Sequence, residues 1–398
     1  MDSAGAATAA GVPARRTGQY PRHHPITHRG HQSYWTFAQG YYVKNGKPTD
    51  EIACIKAALR LWRRHFGGLP AREFDSLKML ALQQLMIDAG WSRKTINSHT
   101  GRVKRALKWM VSRKLVPATV WAECATVPGL EKGRTKAKET ARKLPVPAAM
   151  VEAVKPFVSK QVWALIQLES LCGARSGELV GLRKKDIDRT GDVWTAAIAG
   201  HKTEHHDHER VLHFGKESQA VLAPFLMRPD DAYLFSPREA EKDRREALHA
   251  GRETPDDVGN EPGDNRAKNP KRNPGDHYTP DSYRVAITHA CRQAFPVPAH
   301  LARQRVPGRG RKAKAARWES AAEWKARLGT DKWAELRKWE REHHWHPHRL
   351  RHSMASRVRA KYGVEAAKLA LGVKNLDVAE IYAERDAEVV KRIFAEVG

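Results

Sequence analysis

Near its C-terminus the chain reads HHWHPHRLRHSMASRVRAKYG, with His348-Arg349-Leu350-Arg351-His352 at the centre. His348 and Arg351 stand three apart, the spacing that puts two side chains on one helix face. Such a pair can hold a metal, form a cationic surface or clamp a phosphate. His344, His346 and His348 alternate and His352 follows, but Pro347 interrupts them and no acidic partner stands close by. The H-x-x-x-H spacing with glutamate that serves zinc is also missing, so no metal is expected. Three more groups could bind a phosphate or act on it. Arg175 lies at a loop-to-helix junction in Cys-Gly-Ala-Arg-Ser-Gly-Glu, Lys202 in a histidine-rich polar turn, and Tyr382 in Ala-Glu-Ile-Tyr-Ala-Glu. The bland alternatives are a basic helix for His348 and Arg351, a solvated turn around Lys202, with Lys216 as a rival lysine, and a buried aromatic for Tyr382.

The elements that must position these groups belong to a strongly basic chain. Its 398 residues suggest two domains, and 41% hydrophobic residues suffice for real cores. Lys plus Arg number 71 against 45 Asp plus Glu, a formal charge of +26. That balance points to a polyanion, with nucleic acid ahead of an anionic membrane surface. No run of ~18 apolar residues is present to span a bilayer, and the N-terminus does not read as a secretory signal. Residues 1–30 read as a flexible basic tail. Cys54, Cys124, Cys172 and Cys291 are far apart, which fits reduced thiols in a cytoplasmic protein.

Residues 31–127 read as helical. In TDEIACIKAALRLWRRHFG, Ile52, Ile55, Ala58, Leu59 and Trp62 recur at helical spacing, with Thr49 or Asp50 as N-cap. DSLKMLALQQLMIDAG is a second helix ending at Gly90. A third, SRKTINSHTGRVKRALKWMVSRKLV, groups Ile96, Val103, Leu107, Met110 and Val111 on one face. Arg93, Lys94, Arg102, Lys104, Arg105 and Lys108 surround that face and the stretch holds no acid, which favours a phosphate-facing surface over a merely solvated one. Residues 128–145, charged and bracketed by prolines, have linker composition. From 146 two helices, a tight turn at Gly173 and a helix from about Ser176 are expected, then a β-hairpin or small sheet over residues 192–215. Residues 228–345 read as a long, partly mobile insertion containing the basic run RAKNPKRNPG, a helix capped by Asp281 or Ser282, and a tryptophan-rich helical stretch. Helical segments follow to the C-terminus.

Taken in order, Arg175 in CGARSGELVGLRKKDID, His348-x-x-Arg351 in HPHRLRH and Tyr382 in LGVKNLDVAEIYAERD resemble the tyrosine recombinases, or phage-type integrases, over roughly residues 31–398. The resemblance implies a mainly α fold with a small β-sheet (α+β). A helical, SAM-like core-binding domain would be followed by a tyrosine-recombinase catalytic domain over 146–398. It implies that Arg175 and Arg351 clamp the non-bridging oxygens of a scissile phosphate, as a guanidinium fork suits. Tyr382 would attack phosphorus to form a 3′-phosphotyrosyl link, Lys202 would protonate the leaving 5′-oxygen, and His348 would assist proton transfer. Glu178 matches an acidic position that orients active-site groups. No cofactor, metal or ATP is implied. The partners implied are double-stranded DNA, a homo-tetramer assembled on it and accessory DNA-bending proteins. The amphipathic end, Val389, Val390, Ile393, Phe394 and Val397, would pack on a neighbouring subunit or on its own domain.

One position departs from the family. Where histidine or tryptophan usually follows Leu-Gly, Leu371-Gly372 is followed by Val373, which cannot donate to a phosphate. Lys374 or Asn375 could substitute, or the site could be slower. The alternative functions are a sequence-specific DNA-binding protein of the same fold without efficient cleavage and, more distantly, a type IB topoisomerase-like enzyme.

Overall fold

The computed structural model describes residues 26–141, 143–198, 210–253, 255, 258, 273–308 and 316–372. The chain divides between residues 142 and 143 into two compact units. Architecture is mainly α with small antiparallel sheets.

The first unit contains α1 (Ile26–Tyr41), α2 (Asp50–Phe66), α3 (Ser76–Asp88), α4 (Arg93–Ser112) and α5 (Ala118–Thr126). Between α1 and α2, strands β1 (Val43–Lys44) and β2 (Lys47–Pro48) join through Asn45-Gly46, both at positive φ, as a two-residue hairpin turn requires. Helix α2 buries Ile55, Ala58, Leu59 and Trp62, an i, i+3, i+4, i+7 stripe. Asp75 starts α3 by accepting the Lys78 N–H at 2.9 Å, and Ser92 starts α4 by accepting from Thr95. Trp62, Phe74, Met79, Leu82, Met86, Ile96, Leu107 and Met110 form the centre of the core. Val111 stands at its edge, half-buried. The proline-bracketed stretch after α5 is not a free spacer. Asn97 bonds both the N–H and the carbonyl of Leu130, Ala137 is buried, and the Lys138 carbonyl accepts the Arg93 N–H at 2.9 Å.

The second unit is built around α7 (Lys160–Cys172), which follows the short α6 (Ala148–Glu152). After α8 (Ser176–Val180), strands β3 (Ile187–Asp188), β4 (Trp194–Ile198) and β5 (Arg210–Phe214) form an antiparallel sheet in the order β3-β4-β5. Its register pairs Trp194 with Phe214, Ala196 with Leu212 and Ile198 with Arg210. Helices α9 (Lys216–Leu222), α10 (Pro237–Ala250), α11 (Pro280–Ala294), α12 (Ala321–His343) and α13 (His348–Leu371) follow, with strands β6 (Arg305–Val306) and β7 (Arg317–Trp318) before α12. Leu165, Ile166 and Leu168 of α7 meet Leu179, Phe214, Leu222, Phe235 and Ile287 in the core.

Two expectations for the insertion change. Leu234 and Phe235 are core residues and 237–250 is helical, so ordered structure reaches well past residue 228. The cap of α11 is Thr279 rather than Asp281 or Ser282: Pro280 takes the first helical position, and the Ser282 hydroxyl completes the capping box. Helix α12 is broken at Gly329 and α13 at Gly363, both in backbone conformations outside the helical region.

Candidate active site

The site begins where α7 ends. Gly173 has φ +62, and its N–H donates to the Glu169 carbonyl at 3.0 Å. A Cβ here would lie 2.8 Å from the Met354 sulfur on α13. Left-handed backbone and close packing both demand glycine. This turn buries Ala174 and leaves Arg175 as the N-cap of α8. Glu178, one turn on, receives the Arg175 backbone N–H at 3.0 Å and Arg175 Nη1 at 2.7 Å. Arg210, at the start of β5, approaches the same carboxylate at 3.5 Å. Burial alone would raise the Glu178 carboxyl, but the Arg175 N–H and the Arg210 and Arg175 charges outweigh it and hold the group below its ordinary range. Arg175 keeps 35% of its side chain exposed, so its guanidinium is both oriented and reachable.

The second half arrives on α13. Arg351 is wholly buried, and Nη1 donates to the Gly173 carbonyl while Nη2 donates to the Leu371 carbonyl at 2.7 Å. One guanidinium thus ties the turn that carries Arg175 to the last turn of α13. Gly372 closes that helix at φ +57, and a Cβ there would meet Arg210 Nη1 at 2.5 Å. The His348 and His352 rings meet edge to face at 5.1 Å, with His346 6.5 Å from His348. Burial, then the surrounding positive charge, pushes all three imidazoles down to about 4, so they are neutral at pH 7. Glu169 of α7 is fully buried and accepts from the Ser176 hydroxyl at 3.3 Å. Burial pushes this carboxyl up to about 8, and the neighbouring Tyr283 and Ser176 hydroxyls and the Arg351 charge pull it only partly back.

Of the residues expected from the sequence, Arg175 and Glu178 are in direct contact, Arg351 bonds the turn that precedes Arg175, and His348 lies one helical turn before Arg351 against His346 and His352. Lys202, Val373 and Tyr382 lie outside the described residues. Among the described residues no group of three or more His, Cys, Asp or Glu side chains could hold a metal, and no helix is long and apolar enough to cross a membrane. Two members were missed. Arg210 alternates with Leu212 and Phe214 on the buried face of β5, a period-2 signal that marked it as an inward cation. Glu169 falls four after Leu165 and seven after Val162 on the apolar face of α7, which marked it as a buried acid.

The α4 cations of the first unit are differently placed. Arg102 and Arg105 both pair with Glu51 of α2, at 2.7 and 2.5 Å, and Arg93 pairs with Glu139 at 2.6 Å. Lys104 donates to the Ala125 and Val127 carbonyls. Lys94 is exposed, and Lys108 is exposed above the Trp121 ring at 5.5 Å. The acid absent from α4 is supplied by residues distant in sequence.

Neither a protein-family model nor a curated protein matches the chain by sequence, whereas solved structures match it by fold. The Tn1549 transposon integrase in complex with a circular intermediate DNA aligns with a TM-score of 0.54 and 15% identity, over 92% of this chain and 98% of that one. The same integrase with transposon right end DNA gives 0.53 and 15%, over 92% and 99%. A lambda integrase dimer bound to a COC′ core site gives 0.52 and 12%, over 89% and 76%. At such identities the likeness is one of fold: the chain has the fold of the tyrosine recombinases.

Proposed function

We propose that the chain is a site-specific DNA recombinase that breaks and rejoins strands through a 3′-phosphotyrosyl intermediate, using no metal and no ATP. The observation that carries this reading is the Arg351–Gly173 hydrogen bond. It joins residues 178 positions apart and sets the helix bearing His348 against the turn bearing Arg175. Arg175, oriented by Glu178 and accessible, is the first cation a DNA phosphate meets. Arg351 adds its donors once the Leu371 carbonyl moves off it, and Arg210 supports the positive field from below.

In the reaction the Tyr382 oxygen attacks phosphorus and the bond to the 5′-oxygen breaks. The phenol proton passes to the neutral His348 imidazole, and Lys202 supplies a proton to the departing 5′-oxygen, which leaves as a 5′-hydroxyl. A free tyrosine, with pKa ~10, is a poor nucleophile at neutral pH, and clustered guanidinium charge lowers that barrier. The same charges stabilise the pentavalent state as its equatorial oxygens gain negative charge. The covalent link conserves the bond energy, so the reverse attack rejoins strands. Duplex DNA is the substrate, and the working assembly is a tetramer on two DNA sites.

The test uses duplexes from DNA flanking the gene, nicked beside the cleavage point so that the cut fragment diffuses away. A denaturation-resistant protein–DNA adduct that disappears in Tyr382→Phe is expected. Val373, lacking a donor, favours one second reading, a DNA-binding protein without cleavage. Shifted duplex with no adduct would establish that reading instead.

A further inference from the structure

Residues 297–308 and 316–343 form a satellite of the second unit with its own small core, Leu301, Leu328 and Leu336 packed with Val297, Trp324 and Trp333. That core holds the base of the β6–β7 hairpin. The Glu319 backbone N–H donates to the Gln304 carbonyl at 3.1 Å, the buried Glu319 carboxylate accepts the Gln304 N–H at 3.1 Å, and Arg327 pairs with Glu319 at 2.6 Å. Trp324 Nε1 donates to the Leu301 carbonyl at 2.8 Å. Arg317 is paired with Glu323. Its two neighbours in the hairpin are not so neutralised. Arg305 stacks over Trp318 at 5.1 Å and Arg303 over Trp324 at 4.8 Å, and neither pairs with a carboxylate among the described residues. Trp318 is 56% exposed. Residues 303–317 carry seven Lys and Arg and no acid.

We propose that this hairpin is an additional DNA-contact surface, separate from the candidate active site, with Arg303 and Arg305 on the phosphate backbone and Trp318 against a base or sugar face. This rests on the DNA reading above. A guanidinium stacked on an indole is held flat with its N–H edges outward, which prepares it for a phosphate without further ordering. An exposed tryptophan beside the unpaired cation Arg305, with a second unpaired cation, Arg303, two residues earlier, suits a partner that offers both negative charge and flat apolar faces, and duplex DNA offers both. The satellite core holds the base of the two short strands, β6 and β7.

The test measures binding of the full chain to a mixed-sequence 40-bp duplex across a salt series. Each phosphate contact contributes about 0.9 to the slope of log K against log salt. Arg303→Gln with Arg305→Gln should lower the slope by about 2. Trp318→Ala should weaken binding about fivefold or more at unchanged slope, since stacking releases no counterions. Lys242→Gln, an exposed cation on α10 paired with Glu246, controls for net charge and should leave both quantities unchanged. The hairpin variants should still form the Tyr382 adduct on the nicked duplex. Variants that keep the wild-type slope and affinity overturn the proposal while leaving the recombinase reading intact. Variants that instead lose binding to phosphatidylserine vesicles, with DNA binding unchanged, assign the hairpin to a membrane. A wild-type chain that binds no duplex removes both readings.

Discussion

Helices α4 and α13 both carry runs of arginine, and they hold them in opposite ways. On α4, Arg93, Arg102 and Arg105 sit at the rim paired with carboxylates of neighbouring elements, and Lys104 rests on backbone carbonyls. On α13 Arg351 is fully enclosed and spends its donors on the Gly173 and Leu371 carbonyls, while Arg349 bonds the Leu144 and Pro145 carbonyls. Rim charges act additively, each through its own local partner. An enclosed arginine acts through geometry, by fixing which backbone segments meet.

The largest test of that contrast is Arg351→Ala. Two buried carbonyls lose their donor at once, so a loss of about 2–5 kcal/mol is expected. Hydrogen exchange of α7 amides reads it within the second unit alone. Arg105→Ala on α4, judged by exchange in α2 and α4, should cost under about 1 kcal/mol. Equal effects would erase the distinction.

Next comes Gly173→Ala. The left-handed backbone costs roughly 1–2 kcal/mol for an alanine, and the methyl also strikes Met354. Combining it with Met354→Ala relieves the clash and not the backbone strain, so a partial rescue is expected. Full rescue would show that packing alone demanded the glycine.

The pH dependence sharpens the comparison further. His346, His348 and His352 titrate near 4 in the folded chain and near 6.5 unfolded, so the unfolded state binds more protons between those values. The histidine contribution to the stability of the second unit is therefore full above pH 6.5 and is lost as pH drops toward 4. Glu169 works oppositely: protonated in the fold up to about 8 and ionised above 4.5 when unfolded, it removes stability as pH rises through that window. Glu169→Gln should flatten the alkaline limb and leave the acid limb, as amide exchange against pH would read.

The smallest effect belongs to Glu51→Gln. Freed of their partner, Arg102 and Arg105 should strengthen DNA binding a few-fold at low salt, for under about 1 kcal/mol of stability. A salt titration checks it. Unchanged affinity would mean that this face of α4 does not meet DNA.

Local patterns made much of this readable. The stripes of α2 and α4, the glycine at 173 and the i, i+3 pair on α13 are set by nearby residues. What escaped was set by distance. That Glu51 faces α4, that Arg210 lies against Gly372, and that residues 128–139 pack on the first unit all depend on contacts between segments far apart in sequence. The hairpin at Asn45-Gly46 was legible and overlooked, because strands of two residues carry no alternation.

The central claim is that Arg175 acts by neutralising a DNA phosphate. Single-turnover adduct formation by Arg175→Ala on a nicked duplex should fall about 10²–10³-fold. A substrate carrying an uncharged methylphosphonate at the scissile position should restore most of that loss, since the charge to be neutralised is gone. Equal impairment on charged and uncharged substrates would contradict the account.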